Sequence, residues 1–539
     1  MKLVSVPEML AIEKEADSGG LTYAIMMENA GRGLAQVIQG IQLAGNGKNA
    51  LGLVGPGNNG GDTLVALSLL ASEGWHVRAY LIKRKQDALV ERLRKVGGEI
   101  STADADRDSA NLGAWMQGTE VLLDGVLGTG TRPPLKEDVA GRLKAVRRIL
   151  DGIEEPPYVV AVDCPSGVDC ETGEAAPECL AADLTVTMAA VKRGLLRLPA
   201  YDLVGDLRVV DIGLPADLAA LSAVQTDVAD ADIVSAILPD RPADSHKGTF
   251  GTALIVAGSV NYTGAAVLAG KAAYRAGAGL VTLGVPAPLH AALAGTFPEA
   301  TWILLPHEVG VISRDAVDVV QESLRAASAV LIGPGLGVEE TTGDFMTRIL
   351  ADSGGVDRPS TRIGFVRGHE QQREPSKHTL PALVVDADGL KLLAKLKNWS
   401  QLVPARSVLT PHPGEMAILT GLSKDEIQAE RESIARKYAH DWGHVVVLKG
   451  AFSVVADPDG RCTVIPIASA ALARAGTGDV LAGIIVGLRA QGVEPYESAV
   501  AGAWIHAQAG LLAADRIGAL ASVLAGDVLA SVADVIAGL

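Results

Sequence analysis

Short apolar runs rich in Val and Leu, each closed by Gly, Pro or Asp, recur along the chain with helical patterns between them. After an opening helical stretch, Asn49–Val54, His76–Ile82, Val121–Asp124, Tyr158–Asp163, Leu184–Met188 and Leu207–Asp211 read as strands, and Thr63–Glu73 as an intervening helix. Continuous apolar strands alternating with helices predict a mostly parallel sheet covered on both faces. The rhythm weakens over Leu214–Ser245, an Ala- and Asp-rich stretch holding Pro215, Pro239 and Pro242. It restarts with Ala253–Ala257, Gly279–Val285, Ala329–Ile332, Ala382–Asp386, Ser407–Thr410, Val445–Lys449 and Cys462–Ile465, and a long apolar helix follows Asp479. Two α/β domains are therefore expected, residues 1–225 and 226–539. Gly354–Thr379 is polar and mixed in charge, without apolar periodicity, and reads as a surface insertion.

Composition supports this picture. Hydrophobic residues make up 48% of the 539 and charged ones 20%, enough for large cores and unlike a disordered chain. The 61 glycines and 4% aromatics suit tight strand-to-helix loops. A formal charge of −16 opposes a diffuse polyphosphate-binding surface, so nucleic acid is not an expected partner. A nucleotide can still bind, because backbone amides at helix N-termini act locally. Cys164, Cys170 and Cys179 lie close in sequence, but no His stands at ligand spacing beside them, so these and Cys462 read as reduced thiols and not a zinc site. No apolar run reaches membrane-span length and the N-terminus lacks a signal core, so a cytoplasmic protein without membrane contact is expected.

The chemistry concentrates where strands end. In the second half, Gly476-Thr477-Gly478-Asp479 opens the apolar helix. Two glycines let successive N–H groups aim at one spot, the helix adds the positive end of its dipole, and the result is an anion hole. Asp479 in the first turn can then take a proton from an acceptor hydroxyl. Lys449-Gly450-Ala451, Thr410–Glu415, Asp386-Ala387-Asp388 and Gly333–Gly337 end four further strands. Ligands of open α/β sheets bind at that carboxyl edge, so the loops converge on one site. In the first half, Gly55-Pro56-Gly57-Asn58-Asn59-Gly60-Gly61-Asp62 follows a strand, in the context of a phosphate-cradling loop. Its Asn and Asp oxygens, with Asp124 and Ser166 at later strand ends, can coordinate a hard cation. The same residues can also simply cap a helix.

Residues 245–539 resemble the ribokinase-like superfamily through Ala475–Asp479. They resemble the NAD(P)H-hydrate dehydratases more specifically through Ser245–Gly248, Ala257–Ser259, Tyr262–Ala266, Ala276–Val281, Thr410–Glu415 and Gly476–Gly483. Residues 1–218 resemble the NAD(P)H-hydrate epimerases through Gly57–Asp62, Asp124–Gly130, Asp163–Gly167, Asp183–Thr187 and Lys192. The resemblances imply a Rossmann-like three-layer domain followed by a ribokinase-like one. They imply a fused repair enzyme that interconverts the C6 epimers of hydrated NADH or NADPH and then dehydrates one of them, with ADP as co-substrate giving AMP and phosphate.

By the same resemblances, K⁺ is held by Asn59, Asp124 and Ser166. Substrate is contacted by Asn58, Asn59, Gly60, Gly61, Asp62, the run Gly128, Thr129, Gly130, Thr131, Arg132, Pro133 and Pro134, and Asp163. In the second domain, Ala265, Gly337, His412 and Asp479 contact the hydrated dinucleotide. Lys449, Gly450, Ala451, Phe452, Ser453, Gly476, Thr477 and Gly478 contact the nucleotide, and Mg²⁺ bridges its phosphates. Asp479 is the dehydratase base, Asp163 and Lys192 the candidate acid–base pair of the epimerase, and a homo-oligomer is expected. A buried, satisfied side chain is the alternative for His412, and an exposed turn residue the alternative for Lys192. The chain departs from the family pattern at Thr63, where Gly is usual, at Ala190-Val191 before Lys192, and at Gly389-Leu390-Lys391. Two other readings stand beside the repair enzyme, a small-molecule kinase with an N-terminal regulatory domain and a binding protein without catalysis.

Overall fold

A computed structural model describes residues 1–42, 47–353 and 380–539, so the insertion expected at Gly354–Thr379 lies outside the described residues. The chain divides into two compact units, Met1–Thr226 and Asp227–Leu539.

The strands of the first unit are β1 (Leu3–Val4), β2 (Asn49–Val54), β3 (His76–Leu81), β4 (Glu99–Thr102), β5 (Val121–Gly125), β6 (Tyr158–Val162), β7 (Leu184–Met188), β8 (Val191–Lys192) and β9 (Asp206–Val210). Seven of them form a parallel sheet in the order β4-β3-β2-β5-β6-β7-β9. Strand order reverses between β2 and β5, where a Rossmann-like sheet opens its ligand crevice. Strand side chains alternate between two cores. Ala50 and Val54 join the cluster of Leu34, Leu64 and Leu67, while Leu51 and Leu53 pack with Leu112, Leu122 and Leu143. Burial on both faces is why these strands read as unbroken apolar runs. The weakly apolar β4 escaped the sequence reading because its residues are exposed or half-buried.

The second unit contains β10 (Thr226–Val228), β11 (Thr252–Val256), β12 (Leu280–Pro286), β13 (Thr301–Leu305), a small hairpin of β14 (His307–Glu308) and β15 (Val311–Ile312), then β16 (Ala329–Ile332), β17 (Ala382–Val385), β18 (Val408–Leu409), β19 (Val445–Leu448), β20 (Val454–Ala456) and β21 (Cys462–Val464). The large sheet runs β10-β21-β20-β19-β18-β17-β16-β11-β12-β13. Its run from β13 to β19 is parallel, and β20 and β21 turn back antiparallel. Ala253 and Ile255 face a core shared with the helix Thr477–Ala490, and Leu254 and Val256 face the opposite core with Phe345 and Ile349. The helix carrying Asp479 is therefore buried along most of its length, which holds its N-terminus fixed at the carboxyl edge of the sheet.

The four cysteines are free and buried. Among the described residues, no helix is long and apolar enough to cross a membrane.

Candidate functional sites

In the first unit, the helix predicted from Thr63 starts five residues earlier, at Asn58, with Gly57 as its N-cap. The expected loop residues Asn58–Asp62 are its first turns. Close packing explains this. A Cβ at Gly55 would overlap the Val126 carbonyl, and one at Gly60 would overlap the Gly55 carbonyl, so only glycine lets the three segments meet at the switch point. Thr63, which departs from the family pattern, donates its hydroxyl to Asn59 O at 2.7 Å and lies against Gly52 and Gly125. The space of a side chain at those two glycines is thus given to Thr63.

Asn59, Asp124 and Ser166 come together at the ends of their elements. Asn59 Nδ2 donates to the carbonyls of Val162 (2.6 Å) and Leu127 (3.2 Å), which turns Oδ1 the other way, toward Gly128. The buried Asp124 accepts Ser166 Oγ at 2.5 Å and Ser166 N at 2.8 Å. Burial pushes its carboxyl above the usual range, against the hydrogen bonds from Ser166. Amide, carboxylate and hydroxyl oxygens in one place are the donor set of a hard cation.

Deeper in the unit, Asp163 holds a left-handed backbone (φ 67°), a conformation that costs a residue with a side chain and recurs at functional sites. It accepts from Met188 N at 3.0 Å, Thr187 Oγ1 at 3.1 Å and Lys192 Nζ. Lys192 is not an exposed turn residue. It sits on β8, is 1% exposed, and also donates to Met188 O at 2.8 Å and Thr187 Oγ1 at 3.0 Å. A fully buried ammonium survives because its donors are satisfied and a carboxylate faces it. Asp62 is buried beside this pair. Burial, then the charges of Asp163 and Glu13, hold its carboxyl well above the usual range. Glu13, on the helix Val6–Ser18, is pushed up as well, chiefly by burial. Nothing in its local sequence marked Glu13, and Thr187 was marked only as part of the Asp183–Thr187 motif, because only the fold brings them to Asp163.

A cavity of about 610 Å³ is lined by Asn58, Asn59 and the stretch from Val126 to Lys136 except Pro133, while Gly60, Gly61, Asp62, Asp163 and Lys192 are not on its wall. The expected substrate residues Gly128–Arg132 and Pro134 lie on its wall. A second hollow of about 590 Å³, between the helix Tyr23–Gln39 and β9, holds none of the expected site residues.

In the second unit the carboxyl ends of β16, β17, β18 and β19 deliver the expected loops to one place. Asp386, 1% exposed, accepts Lys449 Nζ at 2.6 Å and Thr410 Oγ1 at 2.7 Å through the same oxygen. Its other oxygen faces Gly478, 4.0 Å from where a Cβ would stand, and Lys449 Nζ lies 3.5 Å from that point. Gly476 has φ 91°, and no side chain caps the helix it begins. Thr477 N turns back to the Arg474 carbonyl, and the amides of Gly478 and Asp479 are left for a ligand. Asp479 is half-buried in that turn. Burial, then the charge of Asp386, pushes its carboxyl up to about 7, with Lys449 pulling the other way.

The remaining expected residues lie in the loops around this centre. Gly337 N donates to Asp388 Oδ2 at 3.0 Å, and Asp388 Oδ1 takes Lys391 Nζ at 2.9 Å. Ala265 starts the helix Ala265–Arg275 against Gly335. In the Lys449–Ser453 loop, Gly450 and Phe452 have positive φ, and Ser453 Oγ donates to Gly450 O at 3.0 Å. His412 is not buried, its side chain being 52% exposed. Its Nδ1 accepts from Gly414 N (2.9 Å) and Glu415 N (3.2 Å), capping the helix Pro413–Thr420, and its Nε2 lies 3.3 Å from Glu415 Oε1. The sequence reading missed His506. Its ring lies by the Thr477 backbone, its Nε2 has no partner among the described residues, and burial lowers its pKa to about 4. It lies mid-helix in an apolar stretch, so only the packing of Pro495–Ile517 on Thr477–Ala490 reveals it.

Residues 23–194 match the family described as YjeF-related protein N-terminus, and residues 253–532 match the family described as NAD(P)H-hydrate dehydratase. The bifunctional NAD(P)H-hydrate repair enzyme of Moorella thermoacetica is 36% identical over 96% of this chain and 93% of its own length. The corresponding enzyme of Escherichia coli is 33% identical over 94% and 88%. A crystal structure of the ADP/ATP-dependent NAD(P)H-hydrate dehydratase of Bacillus subtilis, co-crystallised with ATP and Mg²⁺, is 30% identical with a TM-score of 0.46, covering 58% of this chain and 98% of that one. This chain belongs to the family of bifunctional NAD(P)H-hydrate repair enzymes.

Proposed function

We propose that the second unit dehydrates hydrated NADH or NADPH with ADP as phosphoryl donor, and that the first unit interconverts the two C6 epimers so that both are recovered. The observation that carries the dehydratase reading is Asp479, a carboxyl held near neutrality at an open helix start beside the Lys449–Asp386 pair. A base poised there takes the proton of the C6 hydroxyl as oxygen attacks the terminal phosphoryl group of the nucleotide. That attack forms the C6–O–P linkage and releases AMP. Phosphate then leaves with the C6–O bond, a C5 proton departs, and the ring double bond returns. The amides of Gly478 and Asp479, with Lys449, stabilise the charge on the transferring group. The Lys449–Ser453 loop holds the nucleotide, and Ala265, Gly337 and His412 hold the dinucleotide.

In the epimerase, Asp163 and Lys192 manage the proton as hydroxide leaves C6 and returns to the other face. Asn58–Asp62 and Gly128–Pro134 hold the substrate. Asn59 Oδ1, Asp124 and Ser166 Oγ fit K⁺, which would supply a fixed positive charge beside the substrate. Mg²⁺ would neutralise the nucleotide phosphates. Incubation with hydrated NADH and ADP should restore absorbance at the reduced-nicotinamide band. No recovery with either ADP or ATP would end this reading.

A further inference from the structure

Resting on the epimerase reading, we propose that Lys83 and Lys136 clamp the pyrophosphate of the hydrated dinucleotide at the rim of the first unit's cavity. The cavity wall carries three cationic side chains, Lys83, Arg132 and Lys136, and no carboxylate. In a chain with a formal charge of −16, that is a local inversion of sign. A concave surface of one charge draws in and orients a ligand of the other, and the dinucleotide is anionic at its pyrophosphate.

Not every cation near the cavity is available. Arg84 donates to the carbonyls of Gly55 (3.0 Å) and Gly57 (3.2 Å) and pairs with Asp87 at 2.7 Å, so its guanidinium is spent on shaping the glycine loop. Arg132 donates to Thr131 O at 2.8 Å and lies 3.2 Å from Asp169. Lys136 has no partner among the described residues. Among the described residues Lys83 pairs only with Asp138, and both side chains of that pair are about half exposed (45% and 53%). An exposed pair of this kind contributes little and yields readily to a better anion.

Lys83 has a second peculiarity. Its backbone lies at φ 59°, the left-handed region where Gly is favoured. It follows β3 at the carboxyl edge of the sheet, and the strain is tolerated at a position that lines the cavity. Sequence placed nothing at this residue, because a lysine in a polar loop looks like any other surface lysine.

Because glycine suits this φ, Lys83→Gly removes the cation without disturbing the chain path, and Lys136→Ala removes the other from an exposed position. Epimer interconversion would be followed with the slow epimer of hydrated NADH, coupled to recovery by the dehydratase unit. Each variant should raise KM about 5–10-fold with kcat within about twofold, and the double variant more. Lys83→Arg should recover most of the loss. Hydrated reduced nicotinamide riboside, which has no phosphate, should show the same kcat/KM in all of these proteins. An unchanged dinucleotide KM in the double variant, or an equal loss with the riboside, would overturn the assignment. A wild-type chain that interconverts no epimers would instead remove the epimerase reading beneath it.

Discussion

The most informative perturbation is Asp479→Asn, because the same burial that suits this carboxyl to catalysis makes it costly to the fold. An ordinary aspartate titrates near 3.8, and this one is pushed up to about 7, first by burial and then by Asp386. At roughly 1.4 kcal/mol per decade, the gap amounts to roughly 4 kcal/mol, trimmed to about 2–4 because solvent reaches part of the group. The folded value exceeds the unfolded one, so the folded state keeps a proton that the unfolded chain releases between about pH 4 and pH 7. Wild-type stability from this group is full below about pH 4, falls as pH rises toward 7, and is flat above it. Asparagine has no such penalty. The variant should therefore match the wild type within about 1 kcal/mol near pH 4 and exceed it by about 2–4 kcal/mol at pH 8, in chemical denaturation without nucleotide. It should have lost dehydration while still binding ADP. In the wild type, the ionised fraction grows from about a tenth at pH 6 to about nine tenths at pH 8, so kcat/KM for dehydration should rise about tenfold over that range. A stability difference that does not change between pH 4 and pH 8, or a flat activity profile, would refute the reasoning.

Two further predictions follow from the first unit. Lys192→Met leaves the buried Asp163 carboxyl without its partner, so it should destabilise this unit by about 3–5 kcal/mol and abolish epimer interconversion. Dehydration of the preferred epimer should persist, as separate assays of the two steps would show. Replacing K⁺ with Li⁺ should slow interconversion in the wild type, and Asp124→Asn should remove that dependence along with most of the rate. An ion-independent wild-type rate would end the K⁺ assignment.

How much was legible depended on how far each signal is local. The strands were readable because residues such as Leu51, Leu53, Ala253 and Ile255 are buried whichever face they point to, which writes continuous apolar runs into the chain. The exposed or half-buried β4 left no such run, whereas β13 carries one at Trp302–Leu305 that the sequence expectation passed over. The Gly476–Asp479 turn was readable because anion binding at a helix start needs consecutive residues. The start of the helix at Asn58 was not, since Asn-Asn-Gly-Gly has poor helix propensity and is helical here only because β2, β5 and the glycine contacts clamp it. Asp386, Glu13, Thr187 and His506 matter through partners far away in sequence. Asp386 lies 63 residues from Lys449, and Lys192 lies 29 from Asp163.

These long-range pairings share one electrostatic logic. In each unit a buried carboxylate at a strand's carboxyl end is matched by a lysine, Asp163 by Lys192 and Asp386 by Lys449. Each lysine can neutralise only one carboxylate closely. The second acid in the same place, Asp62 in one unit and Asp479 in the other, is left with burial and a like charge nearby, and both are pushed upward. The pair fixes the local charge, and the unmatched neighbour keeps its proton more readily than an ordinary carboxyl, which in the second unit brings Asp479 up to about 7. Removing the lysine would leave two acids facing one another, and the excess charge would be felt in folding as much as in turnover.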